Sequence, residues 1–287
     1  MNAVLSDWQI QARHALERWR LPWRGRRWRG GTGGLPGRGA GGALDFEDHR
    51  PYAPGDDLRH LNWAVYGRTG VHTLKVFRPE VSPLLDVAVD VSASMTLTPE
   101  KEACVRALLS WVVESARTEG ASVRIWKCGL EGVHPLEVTG LADLRFETAP
   151  REQGVSLRWE SVGWRSGGMR VLLSDLLWPG DPGPVLDAFA RGAGHAVLYA
   201  PFARVEAQPD WEGNVDLRDC ESSGRRVVSV NEAVLRDYHR AYDAHFALWE
   251  SAAQQRQIAC ARLPDARDLA ESLAHYALAS GAVEPVG

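Results

Sequence analysis

Hydrophobic and polar positions follow two different periods along this chain. From residue 83 onward, short continuous apolar runs alternate with longer stretches in which apolar residues recur every three or four positions. The short runs are typical of buried strands, and the longer spacing is typical of amphipathic helices. This alternation predicts an α/β fold: a doubly wound, mostly parallel, Rossmann-like sheet flanked by helices, preceded by a small N-terminal helical/β unit.

The elements are assigned from these runs and from the residues that begin and end helices. Predicted strands cover residues 73–77, 84–91, 122–126, 133–138, 169–175, 196–200, 213–218, 225–230 and 258–263. Predicted helices cover residues 4–20, 99–119, 184–191, 231–257 and 266–280. Pro99 early in one helix and Gly120 just past its end mark its limits. The segment Pro54–Asp57 predicts a turn that also caps the start of a helix.

The pattern divides the chain into three segments. Residues 1–43 are predicted to form a basic amphipathic helix and a Gly-rich loop, residues 44–80 a separate small unit, and residues 81–287 the α/β domain. A chain of 287 residues is long enough for one large domain or two small ones.

The N-terminal segment is rich in arginine and tryptophan, and three interpretations of it remain open. Residues 1–40 hold eight arginines against only Asp7 and Glu17. The helix can pack its apolar stripe on the body of the protein with its arginines in solvent, which we favour. Alternatively, the arginines and tryptophans contact an anionic membrane, or they bind nucleic acid. We expect no nucleic-acid partner, because the whole chain carries a formal net charge of -4.

Composition excludes several classes of protein. A hydrophobic content of 45% with 24% charged residues is ordinary for a globular protein. The sequence lacks an apolar run of about 18 residues and a secretory signal, so we expect neither a membrane span nor export. The four cysteines form no CxxC pair. These features predict a reduced, cytoplasmic setting.

The most informative polar residues follow the predicted strand at 84–91. Asp90, Ser92 and Ser94 lie on alternate positions at its carboxyl end, where open α/β sheets bind their ligands. One carboxylate and two hydroxyls are hard oxygen ligands of the kind that suits Mg²⁺ or Mn²⁺. The alternative is that they cap the next helix, but that helix is predicted to begin several residues later, at Pro99.

The sequence Asp90-Val91-Ser92-Ala93-Ser94 resembles the metal-ion-dependent adhesion site of von Willebrand factor A domains. The resemblance implies a von Willebrand factor A-like fold and a divalent ion bound by both serine hydroxyls and by Asp90, directly or through water. It also implies one open position on the ion for a carboxylate of a partner protein. A second loop supplies Thr or Ser, and a third supplies Asp. Asp175, after the strand at 169–175, is the third-loop candidate, although a turn residue is the alternative; the second-loop candidate is Ser156, with Thr148 and Ser161 as alternatives.

A block upstream of the sheet sharpens the resemblance. Its characteristic members are Arg50, Tyr52, Pro54-Gly55-Asp56-Asp57, Arg59 and Trp63. This block looks like the signature of the bacterial "domain of unknown function 58" family, which places it just ahead of an A-type domain. The resemblance covers roughly residues 44–280, and Asn62 stands where the family commonly has Asp. We interpret the polar and aromatic cluster as a structural latch that docks the small unit, with a role in an interface as the alternative.

The resemblance implies a binding module that is not an enzyme. Similar proteins are commonly encoded beside a MoxR-type AAA+ ATPase and are thought to act with it as adaptors in metal insertion or complex maturation. One alternative is a Mg²⁺-dependent phosphoryl-transfer hydrolase, but Ser92 stands where such an enzyme needs a second Asp as its acid. The other alternative is a structural scaffold whose metal site is vestigial.

Overall fold

The chain forms two compact units. The computed structural model describes residues 5–23, 45–54, 56, 61–78, 83–129, 131–147, 159–222 and 224–287. The larger unit comprises residues 1–30 and 83–287, and the smaller unit comprises residues 31–82. The N-terminal helix therefore belongs to the larger unit.

Seven helices and twelve strands make up the described part of the chain. The helices are α1 (Asp7–Leu16), α2 (Trp63–Thr69), α3 (Pro99–Thr118), α4 (Gly183–Ala190), α5 (Arg204–Ala207), α6 (Glu232–Gln255) and α7 (Leu269–Tyr276). The strands are β1 (Trp19–Arg20), β2 (Asp45–Pro51), β3 (Thr73–Arg78), β4 (Leu84–Asp90), β5 (Ser122–Gly129), β6 (Gly132–Leu136), β7 (Met169–Leu173), β8 (His195–Phe202), β9 (Gly213–Arg218), β10 (Arg225–Val230), β11 (Ala259–Pro264) and β12 (Glu284–Pro285).

A six-stranded sheet forms the centre of the larger unit. Its strand order is β11-β8-β7-β4-β5-β6. All neighbouring pairs are parallel except the last, in which β6 returns antiparallel to β5. The prediction of a mostly parallel sheet flanked by helices is confirmed. The edge position of β6 explains the antiparallel pairing, because an edge strand can return through a short turn without a crossover helix.

Alternate residues of β4 enter two different hydrophobic cores. Leu85, Val87 and Val89 belong to a core that also contains residues of α1, α3 and α7. Ala88 belongs to a second core, which contains residues of α4 and α6 such as Trp249. Because successive side chains of a strand point to opposite faces, these two cores place helices on both faces of the sheet.

The N-terminal helix ends earlier than its apolar spacing predicts. The predicted helix over 4–20 is wrong at its C-terminal end: α1 stops at Leu16, and Trp19–Arg20 pairs antiparallel with Glu284–Pro285. The backbone carbonyl of Trp19 accepts a hydrogen bond from Trp111 Nε1, at 3.0 Å, and Trp19 Nε1 donates to the carbonyl of Ala270, at 2.9 Å. These tertiary contacts replace the helical hydrogen bonds, and the ring of Trp19 is buried in the core.

Two other predicted elements are longer than those observed. The predicted strand over 169–175 ends at Leu173, and the side chains of Ser174 and Asp175 beyond it contact Asp90 and Lys101. The predicted helix over 266–280 is the shorter α7, which begins after Asp268. The Asp268 side chain accepts hydrogen bonds from the backbone N–H groups of Ala270 and Glu271, the usual role of an N-cap.

The smaller unit contains an antiparallel pair of strands and one short helix. Strand β2 pairs with β3, with an irregularity between Phe46 and Asp48. The predicted turn is present, since the Asp56 N–H donates to the carbonyl of Ala53, at 3.1 Å. The described helix of this unit begins later, at Trp63, where Asn62 acts as N-cap by accepting from the N–H of Val65. None of the described helices is both long enough and apolar enough to cross a membrane.

We predict that Arg165 fastens the amino ends of two central strands. Its guanidinium donates to Asp86 Oδ1, at 2.8 Å, and to the backbone carbonyls of Leu85 and Ser122. R165M is expected to lower the free energy of unfolding by about 2 kcal/mol, because it removes charged hydrogen bonds to a buried carboxylate. Urea unfolding measures this loss. R267M, which changes an exposed arginine, is the control, and equal stability of the two variants would contradict the prediction.

Candidate functional site

The candidate site lies at the carboxyl edge of the central sheet. Strands β4 and β7 are parallel neighbours, so their carboxyl ends meet at the same edge. Asp90 is the last residue of β4, and Asp175 lies two residues beyond the end of β7. The polypeptide after β4 passes through Ser92 and a short 3-10 turn, Ala93–Thr96, before α3 begins. This is the edge at which open α/β sheets bind ligands.

The serines after β4 are not the caps of α3. The N-cap of that helix is Thr98, whose hydroxyl accepts a hydrogen bond from the N–H of Lys101, at 3.1 Å. Ser92 stands at the N-cap position of the 3-10 turn, but its side chain makes no capping hydrogen bond there. Capping therefore does not account for the hydroxyls of Ser92 and Ser94.

Asp90 is a buried carboxylate held by neutral donors. Its Oδ1 accepts from the N–H of Ser92, at 2.9 Å, and its Oδ2 accepts from the hydroxyl of Ser174, at 2.7 Å. Among the described residues, no basic side chain forms an ion pair with it. Burial raises the pKa of Asp90 to about 7, and the nearby charge of Asp175 adds to this shift. A cation at this position would favour the charged carboxylate.

A chain of hydrogen bonds runs from Ser92 to Glu221. The hydroxyls of Ser92 and Ser94 lie 3.1 Å apart, and Ser94 donates to Glu221 Oε1, at 2.7 Å. The Ser92 side chain also hydrogen-bonds the Asp90 carboxylate, so its hydroxyl lies between Asp90 and Ser94. Both serines are buried, whereas Glu221 is half-buried. The site thus contains a second carboxylate that comes from a distant part of the chain.

Asp175 is paired with a fully buried lysine. Lys101 Nζ lies 2.9 Å from Asp175 Oδ2 and 2.8 Å from Glu206 Oε1. Burial alone lowers the pKa of Lys101, but the two carboxylates outweigh it and the net pKa is raised, so the ammonium stays charged. Burial raises the pKa of Glu206, and Lys101 offsets part of that rise. No local sequence pattern predicted this cation at the end of the sheet.

The backbone directly after Asp175 is strained. Leu176 has a φ of 62°, in the left-handed region that residues with a side chain rarely adopt. Its carbonyl oxygen is 2.7 Å from His245 Nε2, and the N–H of Leu177 donates to Asp175 Oδ1. Such strain persists only where surrounding contacts enforce it, and it concentrates at functional sites. The strained residue directly follows the candidate ligand Asp175.

The structure brings together only part of the predicted metal ligands. Asp90, Ser92 and Ser94 adjoin one another, and Asp175 is close enough for its charge to act on Asp90. The preferred second-loop candidate, Ser156, and the alternative Thr148 lie outside the described residues. Ser161, the other alternative, is exposed at the end of a short 3-10 turn, Trp159–Ser161.

The predicted polar cluster of the smaller unit is also described in part. Arg50 forms an ion pair with Asp56, with Nη1 2.7 Å from Oδ2, and this contact lowers the pKa of Asp56. Trp63 is 65% exposed and packs edge-on against Tyr66. The ring of Tyr52 lies 6.3 Å from that of His72. Asp57 and Arg59 lie outside the described residues.

Four residues that were not predicted from the sequence also contact the candidate ligands or their partners: Lys101, Ser174, Glu206 and Glu221. Only Lys101 left a signal that could have been used. It precedes Cys104, Val105 and Leu108 at helical spacing, so it stands on the buried stripe of α3. A lysine on such a stripe requires a buried acidic partner. The sequence around Glu206 and Glu221 shows no apolar periodicity that would place them on a buried face, because their elements are short or exposed.

The donor set fits a hard divalent cation. Among the described residues, no three His, Cys, Asp or Glu side chains form a metal-binding group by themselves. The converging donors are instead two hydroxyls and the carboxylates around them, and hydroxyl and carboxylate oxygens are the ligands that Mg²⁺ and Mn²⁺ prefer. Lys101 is shared by the buried carboxylates of Asp175 and Glu206, and the charge of Asp175 also acts on the buried carboxylate of Asp90. An added cation would therefore reduce the repulsion between them.

Comparison with known proteins gives a match to the part of the chain that contains Asp90, Ser92 and Ser94. Residues 48–135 match the family described as "Protein of unknown function DUF58". The DUF58 match spans less than half of the chain and supports the resemblance drawn from the upstream block. It includes the segment with Asp90, Ser92 and Ser94, whereas Asp175, Glu206 and Glu221 lie beyond it. Neither a curated protein nor a solved structure matches the chain.

Proposed function

We propose that this chain is a non-enzymatic protein-binding adaptor whose contact with its partner depends on a divalent ion. The observation that carries this proposal is the buried carboxylate of Asp90, which has no cationic partner among the described residues and adjoins two serine hydroxyls. Burying a charge without a partner is costly, so a site of this kind favours a bound cation. Mg²⁺ or Mn²⁺ fits these oxygen donors.

The proposed ligands are the residues that the resemblance indicates. Ser92 and Ser94 would hold the ion through their hydroxyls, and Asp90 would bind it directly or through water. Ser156 would contribute from the second loop and Asp175 from the third. The bound ion supplies a positive charge with an open position for a carboxylate of the partner. A MoxR-type AAA+ ATPase is the proposed partner, and it rests on the resemblance to the von Willebrand factor A and DUF58 families. Binding of this kind can be switched by the ion, because the ion changes the affinity for the partner.

One observation favours a second candidate function, a structural scaffold. Lys101 already supplies a positive charge to Asp175 and Glu206. In a scaffold, the Lys101 ammonium would neutralise the buried carboxylates in place of a metal ion, and the remaining predicted ligands would be vestigial. The two functions differ in whether Asp90 binds an ion, so a titration separates them.

We predict that Mg²⁺ and Mn²⁺ bind to the metal-free protein and that D90N binds them at least tenfold more weakly. Isothermal calorimetry measures the affinity, and thermal unfolding measures the accompanying stabilisation. An ion that binds only the folded state stabilises it by about 2.7 kcal/mol at 100 times its dissociation constant. Asparagine keeps the size of the side chain but lacks the charge, so a large loss identifies the carboxylate as a ligand.

The matched control is D143N, because Asp143 is exposed and lies outside the site. Its affinity for the ion should equal that of the wild type. Equal binding by D90N and the wild type would contradict the proposed site, and an absence of binding by the wild type would favour the scaffold. For the partner, binding of a MoxR-type ATPase is compared between wild type and D90N at constant Mg²⁺, because such an ATPase itself needs Mg²⁺ with its nucleotide.

A further inference from the structure

The tip of the β9–β10 hairpin has a defined conformation that directs one glutamate at the site. Asp219 accepts hydrogen bonds at its Oδ1 from the N–H of Glu221, at 2.9 Å, and at its Oδ2 from the hydroxyl of Ser222. The N–H of Asp219 donates to the carbonyl of Gly224, which closes the turn. The carboxylate of Glu221 then accepts from Ser94, a residue 127 positions earlier in the chain.

This contact joins a carboxylate to a predicted metal ligand. The hydroxyl of Ser94 is buried, and its hydrogen is directed to Glu221 Oε1, at 2.7 Å. In the proposed function, the ion at Ser94 keeps an open position for a carboxylate from another protein. The chain itself therefore presents a carboxylate, the group that the partner protein would offer. This carboxylate, from Glu221, contacts Ser94, one of the residues that would hold the ion.

The hairpin that carries Glu221 buries few of its side chains. Within its two strands only Val230 is buried, and Val227 is 67% exposed. It forms a separate two-stranded sheet that does not extend the central one. An isolated two-stranded ribbon is marginally stable, and elements with little buried surface open at low cost. The hairpin can thus leave the site without disturbing the two cores.

We propose that Glu221 is an internal ligand of the site, which takes from within the chain the position that a partner's carboxylate would take. This inference rests on the proposed function and extends it. With the hairpin closed, Glu221 adds a negative charge near the ion and strengthens its binding, because affinity for such ions rises with the number of charged ligands. An acidic partner then has to displace the hairpin, so its measured affinity is reduced by the fraction of molecules that are closed.

The first test is the affinity of E221Q for Mn²⁺ by calorimetry. Glutamine keeps the size of the side chain but lacks the charge that would bind the ion, so the variant tests the carboxylate itself. We expect binding about tenfold weaker than in the wild type. E212Q is the matched control, since Glu212 is an exposed glutamate at the base of the same hairpin, and its affinity should not change.

The second test measures competition for the open position. The probe is a short blocked peptide, acetyl-Gly-Glu-Gly-amide, titrated at an Mn²⁺ concentration that saturates every variant. Removal of the internal competitor should make the peptide bind E221Q about tenfold more tightly than the wild type. In the same variant, amide hydrogen exchange in residues 213–230 should be faster than in the wild type, because the hairpin is no longer held to the ion.

The outcomes separate this inference from the proposed function. Loss of Mn²⁺ binding in D90N together with unchanged Mn²⁺ and peptide affinities in E221Q would overturn the role of Glu221 and leave the metal site intact. Tighter peptide binding with weaker ion binding in E221Q would support both. Absence of Mn²⁺ binding by the wild type would overturn the proposed function and the internal ligand together.

Discussion

Replacing Lys101 with methionine is expected to lower the free energy of unfolding by about 3–5 kcal/mol at pH 7. The ammonium is fully buried between Asp175 and Glu206, and both carboxylates are themselves buried. Methionine fills much of the same volume, so packing changes little. The loss arises because two buried carboxylates are left without a cation. Urea unfolding of the metal-free protein measures it.

The chain offers a matched control for this substitution. Lys127 is half-buried on β5, and none of the ion pairs of the described residues includes it. K127M is expected to change stability by less than about 1 kcal/mol. A similarly small effect of K101M would mean that the ammonium does not support the fold. The triple variant K101M/D175N/E206Q, which removes all three charges, should recover most of the loss.

The stability difference between wild type and K101M is also expected to depend on pH. Burial already raises the pKa of Glu206, and loss of the ammonium removes the interaction that opposes this rise. In the variant, folded Glu206 therefore keeps its proton at a pH where the unfolded chain has lost it. A folded state that binds more protons gains stability as the pH falls. The difference in stability between wild type and K101M should accordingly shrink from pH 8 to pH 5.

Without divalent ions, the wild type is expected to lose about 3 kcal/mol of stability relative to D90N as the pH rises from 5 to 8. Burial and the charge of Asp175 raise the pKa of Asp90 from the ordinary aspartate value of 3.8 to about 7. Between these two values the folded state holds a proton that the unfolded state has released. Stability therefore falls as the pH rises through this window, and the decline ends above the folded pKa.

The measurement is the difference between wild type and D90N in urea unfolding at several pH values. Taking the difference removes the contributions of other titrating groups. D143N, which changes an exposed aspartate outside the site, is measured in the same way as the control. A flat difference for D90N would show that the carboxylate is not a buried acid with a raised pKa. Saturating Mg²⁺ should abolish the decline under the proposed function, because the cation favours the charged form.

The order of helices and strands could be predicted well from local patterns. The strands β9 and β10 and the helix α3 match their predicted ranges closely, because their periodicity and end residues are local features. The end of α1 could not be predicted, since Trp19–Arg20 pairs with a strand more than 260 residues away. Apolar spacing around Trp19 fits a helix and a buried strand equally well, and long-range pairing decides between them.

The candidate site was predictable in its first loop and much less so in the rest. Asp90, Ser92 and Ser94 lie within five residues, so their alternation at the end of an apolar run was visible. Asp175 was found because it follows a second buried strand, and parallel strands end at the same edge. The partners of that site are remote: Lys101 is 74 residues from Asp175 and 105 from Glu206, and Ser94 is 127 from Glu221.

The sequence by itself determined the class of the fold and the edge at which the candidate site lies, because periodicity and strand ends are encoded within a few neighbouring residues. Only the tertiary structure decided which charged side chains at this edge of the sheet are paired with an opposite charge. It placed the ammonium of Lys101 against Asp175, left Asp90 without a cation among the described residues, and brought the hairpin carboxylate of Glu221 onto Ser94. The energy of a buried charge depends on which groups surround it in space, and chain order does not specify those neighbours.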